Sequence, residues 1–225
     1  MKKCIIFDLD DTLYSEYHWV HSGLQRCAEL VSERYDLEKD TVFENFIKGF
    51  EKRGRGKVFH TSLQELDIDE AEIEDLFQYL FYRYRTHKPR IELYPGVMDV
   101  LRQLKAHGCG LGILTDGVLT AQVNKVEALG LNKIMDGIIY TEVFGEEGRK
   151  PSILPFTTIK QFFSGDGEYY YVGDYPEKDF EGAKRAGYRT VMISDDHNVK
   201  RLEQLTSVQK PDIVLEKFED LLEVF

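Results

Sequence analysis

The stretch KKCIIFDLDDTLY, residues 2–14, decides how the rest of the chain is read. Cys4 to Phe7 is a short apolar run of the kind that forms a buried strand, and it runs straight into Asp8, Asp10 and Asp11. In extended backbone alternate side chains share a face, which sets Asp8 and Asp10 on the same side. Two like charges about 4 Å apart repel by roughly 4 kcal/mol at an effective dielectric near 20, before screening. Something else in the chain must make such a cluster tolerable.

Outward from this strand the apolar period changes twice. From Ser15 to about His87 it is helical. Val20, Leu24, Cys27, Val31 and Tyr35 make one stripe, and Ile73, Leu76, Phe77, Leu80, Phe81 and Tyr84 another, as in amphipathic helices packed on one another. A further helix is expected over Thr41 to Phe50, broken by the glycines of RGRGK, residues 53–57. After Pro89 helices and strands alternate. A helix opens at Pro95-Gly96 and ends near Gly108, and a second spans Thr120 to Leu129. Strands are expected at Gly110–Leu114, Gly137–Thr141, Tyr169–Val172, Thr190–Ile193 and Asp212–Leu215, with a closing helix from Phe218. This alternation implies parallel βαβ units, hence an α/β fold with a doubly wound, Rossmann-like parallel sheet. Residues 15–92 carry no strand signal and read as an all-helical domain inserted into a core made of 1–14 and 93–225.

The bulk properties narrow the function. A length of 225 residues suits one sizeable domain or a domain plus an insertion. The formal net charge of −11 argues against a nucleic-acid partner, while leaving room for an anionic small molecule at a locally positive site. Cys4, Cys27 and Cys109 are odd in number and form no CxxC pair, so the expectation is reduced core thiols in a cytoplasmic protein. The apolar run before Asp8 is too short for a signal peptide, and no run approaches the ~20 residues of a membrane span. The number of protomers is left open.

In open parallel sheets ligands bind beyond the carboxyl ends of the strands. Four polar signals fall at such places. They are Asp8 to Thr12, Thr115-Asp116-Gly117, Lys150 in the loop GEEGRKP, and Gly173-Asp174 running on to Asp179. Each alone has a bland reading: a solvated turn, a surface lysine, a helix N-cap. Four in this order, each at a strand end or loop, point to one site.

The ordered set DxDxT at Asp8, Asp10 and Thr12, then Thr115, Lys150, and GDxxxxD from Gly173 to Asp179, resembles the haloacid dehalogenase superfamily. The helical insertion after the first motif is similar to the cap of one large branch. The resemblance implies a magnesium-dependent phosphatase acting on a small phosphorylated substrate. Asp8 would be the nucleophile that forms an aspartyl-phosphate, and Asp10 the acid and then the base. Thr115, the amides after it at Asp116, and Lys150 would hold the phosphoryl oxygens. The Mg2+ ligands implied are the Asp8 and Asp174 carboxylates and the Asp10 carbonyl. Asp179 would orient Lys150 or a metal-bound water, with Thr12 also in support. A sugar-phosphate mutase using the same Asp pair, or a metabolite-binding protein on this scaffold, are the alternatives. Dehalogenation is disfavoured, because an acid at Asp10 serves an oxygen leaving group. Ser152 and Tyr175 depart from the family's usual residues.

Inside the insertion, Lys48, Lys52, Arg53, Arg55 and Lys57 read either as recognition of a second anionic group or as a solvated loop. His18 and His21 lie one helical turn apart with no further ligand in view. Tyr14 and Trp19 read as core.

Overall fold

Strand β1 (Lys2–Phe7) lies at the centre of a six-stranded sheet because both of its faces are apolar: Cys4, Ile5, Ile6 and Phe7 are at most 1% exposed. The structure, a computed structural model, describes residues 2–54, 58–163, 167–194 and 200–225. The other strands are β2 (Gly110–Thr115), β3 (Gly137–Tyr140), β4 (Gly167–Gly173), β5 (Arg189–Ile193) and β6 (Ile213–Leu215). All pairings are parallel, in the order β3-β2-β1-β4-β5-β6. The order reverses between β1 and β4, and such a switch point opens a crevice at the carboxyl ends of the strands. Phe7 lies opposite Ile113 of β2 and Val172 of β4. The residues that follow those three positions therefore emerge along one rim.

The helices of this α/β unit are α5 (Val97–Ala106), α6 (Leu119–Ala128), α7 (Ile153–Ile159), α8 (Pro176–Arg185) and the four-residue α9 (Leu221–Val224). The expected closing helix is thus shorter than its apolar pattern suggested, with a 3-10 turn over Phe218–Asp220 before α9. Both edges of the sheet carry the same clamp. Asp136, just before β3, donates its N–H to the Leu111 carbonyl and accepts the Leu111 N–H on its carboxylate at 2.9 Å. Asp212, just before β6, does the same with Thr190, at 2.8 Å from the Thr190 nitrogen. Each clamp fixes register where an edge strand has neighbours on one side only.

The chain separates into two compact units, Met1–Glu16 with Glu92–Phe225, and Tyr17–Ile91. The second consists of α1 (Glu16–Tyr35, beginning one residue earlier), α2 (Lys39–Arg53), α3 (Val58–Gln64) and α4 (Glu70–Thr86). Its interior is mainly aliphatic, with a cluster of aromatic rings among Val20, Leu24, Val31, Leu63, Leu76 and Leu80. Trp19 meets Tyr84 edge-on at 4.9 Å between ring centroids, and Phe46 meets Phe59 at 5.3 Å. Gly23 lets α1 approach α4 this closely, since a Cβ there would lie 2.6 Å from the Tyr84 ring. No helix among the described residues is long and apolar enough to cross a membrane.

Candidate active site

The end of β1 delivers Asp8 to the rim, and its N–H still donates to the Val172 carbonyl at 2.8 Å, one residue beyond the ladder. Its carboxylate meets the Lys150 ammonium at 2.9 Å. The same ammonium lies 2.7 Å from Asp179 and donates to the Tyr171 hydroxyl at 3.1 Å. Tyr171 in turn donates to the Leu114 carbonyl at 3.2 Å, so the lysine is braced from the floor of the sheet. Lys150 is 8% exposed and Asp179 wholly buried.

Asp179 stands in the first turn of α8, and its second oxygen accepts the Tyr175 N–H at 3.0 Å. This carboxylate presses on the β4 terminus: a Cβ at Gly173 would sit 2.5 Å from its oxygen. Only glycine fits there, which gives the motif's glycine a steric reason. Asp174 is next along the chain and accepts a hydrogen bond from Thr12 Oγ1 at 3.0 Å. Asp8, Asp174 and Asp179 each offer an oxygen within 4.8 Å of the others'.

Asp116 turns its carboxylate away from solvent to the loop that carries Lys150. It accepts from Thr141 Oγ1 at 2.6 Å and from the Lys150 N–H at 3.3 Å. Its side chain is thereby a tether for Lys150, and what it can offer an anion is its backbone amide. Thr115 is buried and its hydroxyl accepts from Gln122 Nε2 at 2.6 Å.

Asp10 belongs to a second knot. Its carboxylate is 2.7 Å from the Lys125 ammonium, accepts from Gln122 Nε2 at 2.9 Å, and is hydrogen-bonded to the Tyr14 hydroxyl. Lys125 is 2% exposed and sits on α6. The sequence reading looked to Lys150 and a metal ion for all the positive charge that the acids need. The structure supplies another buried lysine, and the two acids of DxD are drawn to different cations. Tyr14, read as core, is indeed buried, yet its hydroxyl serves Asp10. Lys125 and Gln122 went unread although α6 advertises them. Ala121, Gln122, Lys125 and Val126 form its buried face, and two long polar residues on a buried face need partners inside. Asp11 is exposed, has φ +54°, and accepts the Glu16 N–H at 2.8 Å, so it turns the chain into α1.

Burial pushes the Asp8 carboxyl well above its ordinary range, and the charges of Asp179, Asp174 and Asp10 add to this against the pull of Lys150. Asp174 is pushed up to about 7, first by burial and then by Asp179. For Lys150, burial opposes the charge, but Asp179 and Asp8 outweigh it and hold the ammonium charged. Three carboxylates thus face one lysine, which leaves surplus negative charge in a dry place. An all-oxygen donor set with such a surplus fits a hard divalent cation.

The haloacid dehalogenase-like hydrolase family matches residues 5–193. This chain belongs to that family. A glyceraldehyde 3-phosphate phosphatase of Methanopyrus kandleri is 26% identical, with 100% of this chain and 97% of the relative covered. A ribulose-1,5-bisphosphate 5-phosphatase of Halopiger xanaduensis is 27% identical, with 86% and 85% covered. Among solved structures, a 2-haloacid dehalogenase from Pseudomonas syringae pv. tomato is similar in fold, with TM-score 0.63, 22% identity, and 100% and 98% of the two chains covered. The chain is a haloacid dehalogenase-like hydrolase, with the family's sheet and a helical insertion after β1.

Within the helical unit His21 packs edge-on against Phe43 at 4.8 Å and His18 is exposed, so the two share no ligand-like arrangement. Trp19 is buried. Lys48 pairs with Glu44 at 3.7 Å, while Arg55 and Lys57 lie outside the described residues.

Proposed function

We propose that this hydrolase is a magnesium-dependent phosphatase that cleaves a small phosphorylated metabolite through an aspartyl-phosphate on Asp8. The observation that carries the reading is the gathering of Asp8, Asp174 and Asp179 within 4.8 Å around the buried Lys150. The Asp8 and Asp174 carboxylates and the Asp10 carbonyl would hold the magnesium ion. Asp179 stays with Lys150 and the Tyr175 amide, both of its oxygens being engaged there. Bound magnesium supplies the positive charge that offsets the acids and the phosphoryl oxygens.

The chain's own residues divide the chemistry. An Asp8 oxygen attacks phosphorus, and the bond from phosphorus to the ester oxygen breaks. Asp10 gives that oxygen a proton, then takes one from the water that attacks the aspartyl-phosphate and frees inorganic phosphate. Lys125, Gln122 and Tyr14 fix the rotamer from which Asp10 acts. Lys150 and the Thr115–Asp116 segment hold the phosphoryl oxygens and offset their developing charge. Residues 15–92 take the part of the cap that selects the substrate.

The similar phosphatases make glyceraldehyde 3-phosphate and sugar phosphates the first compounds to test. The experiment measures phosphate release from these and from p-nitrophenyl phosphate, with and without magnesium. Asp8→Asn and acid-quench trapping of labelled phosphoenzyme run alongside. Magnesium-dependent turnover, lost in a folded Asp8→Asn protein, is expected. Turnover that survives Asp8→Asn would sink the assignment of the nucleophile.

A further inference from the structure

The helical unit holds a cavity of about 430 Å³ between α1, α4 and the segment leaving α4. Arg26, Arg83, Lys88 and Arg90 line it, and Glu29 is the one carboxylate among its lining residues. Glu29 is already committed to Arg26, at 2.8 Å. Among the described residues, no carboxylate lies within ion-pair distance of Arg83, Lys88 or Arg90. Cations converge here on a chain whose formal net charge is −11.

Helix chemistry does not account for them. Basic residues in a last helical turn complement the helix dipole, which would explain Arg83 and Arg85, but that effect fades within the turn. Lys88 and Arg90 lie beyond the end of α4 at Thr86. Arg85 has its own place against the Phe81 ring, at 4.1 Å from the centroid, and does not line the cavity. The wall is also held in shape. Ser22 is buried and accepts the Arg90 N–H at 2.9 Å, which ties the departing segment to α1. His87 is buried with its ring 5.4 Å from that of Trp19.

Like charges crowded around a concavity repel unless an anion joins them, and guanidinium groups suit phosphate oxygens as paired donors. The volume lies within the range of small-molecule sites. We propose that this cavity is a binding site for a phosphorylated small molecule bearing more than one negative charge. It shares no residue with the acid cluster of the sheet rim, and it does not depend on the phosphatase reading.

The test uses inorganic tripolyphosphate as probe, on the full chain in a chelator, followed by amide chemical shifts at low and at physiological salt. Saturable shifts centred on Ser22, Arg26, Arg83 and Arg90 are expected at both salt levels. The doubly substituted Arg83→Gln, Arg90→Gln protein should bind at least about tenfold more weakly, which corresponds to about 1.4 kcal/mol, with an unchanged melting temperature. Should that protein unfold, Lys88→Gln alone should still weaken binding severalfold. Shifts confined to the Thr115 and Lys150 region would overturn the proposal. So would binding that vanishes at physiological salt, or unaltered affinity in folded variants.

Discussion

The two compact units treat charge in opposite ways. In the α/β unit the ionisable groups at the rim are buried and in direct contact: Lys150 between Asp8 and Asp179, Lys125 against Asp10. In the helical unit Trp19, Phe46, Phe59 and Tyr84 cluster within a mainly aliphatic interior, and of the cations around its cavity Arg26 is paired with Glu29 while Arg83, Lys88 and Arg90 have no carboxylate within ion-pair distance among the described residues. The first arrangement is costly to assemble and rigid once assembled, because each buried charge depends on its partner. The second leaves Arg83, Lys88 and Arg90 without a carboxylate within ion-pair distance among the described residues.

This contrast can be broken experimentally, beginning where the effect is largest. Asp8→Asn should lower turnover of p-nitrophenyl phosphate by at least about a thousandfold, as loss of a nucleophile does, with circular dichroism unchanged. A smaller loss would mean that the matched charges around Asp8 are structural. Phe46→Ala should cost about 3–5 kcal/mol of stability by emptying a fully buried ring site, read from denaturant melts. A cost below about 1 kcal/mol would show that the Phe46 ring is not part of the helical unit's packed interior.

Lys125→Met should cost about 3 kcal/mol, because it strands the Asp10 carboxylate in a largely buried place. In an Asp10→Asn background the same change should cost much less, and a double-mutant cycle measures the difference. Additive costs would mean that the pair is not coupled.

The smallest effect expected is at the sheet edge. Burial works against ionising Asp212, but hydrogen bonds from the Thr190 backbone and from Lys184 prevail and hold its carboxyl below the ordinary value of 3.8. The folded state therefore favours the ionised form. The stabilisation is present above the unfolded value and is lost as pH falls through the lower folded one. Asp212→Asn should cost less than about 1 kcal/mol at pH 7, given its partial exposure, and the difference from wild type should fade as pH falls below the ordinary value of 3.8 and through the lower folded one. A gap that persists unchanged in acid would rule out the charge as its origin.

The strands were legible because each is a short apolar run bounded by turn residues, and their ends carried the polar signals. Thr115 and Asp174 could be picked out by residue type at a strand end, and Lys150 by its place in a glycine-bearing loop. Lys125 could not, since a lysine within a helical pattern reads as surface until the buried face is identified. The same is true of Tyr14, whose ring and hydroxyl serve different masters: the ring packs in the core and the hydroxyl meets Asp10. Asp116 was legible in position only, because which of its groups faces an anion depends on where Thr141 and the Lys150 loop come to rest.

By itself the sequence determined the alternation of strands and helices, the helical insertion, and the acids that crowd the end of β1, since periodicity and turn chemistry act over neighbouring residues. Which lysine answers which acid, and that a cationic cavity forms between α1 and the end of α4, were decided by tertiary structure alone. Those pairings join side chains as far apart in sequence as Asp10 and Lys125, or Asp8 and Lys150, and Coulomb interaction depends on distance in space.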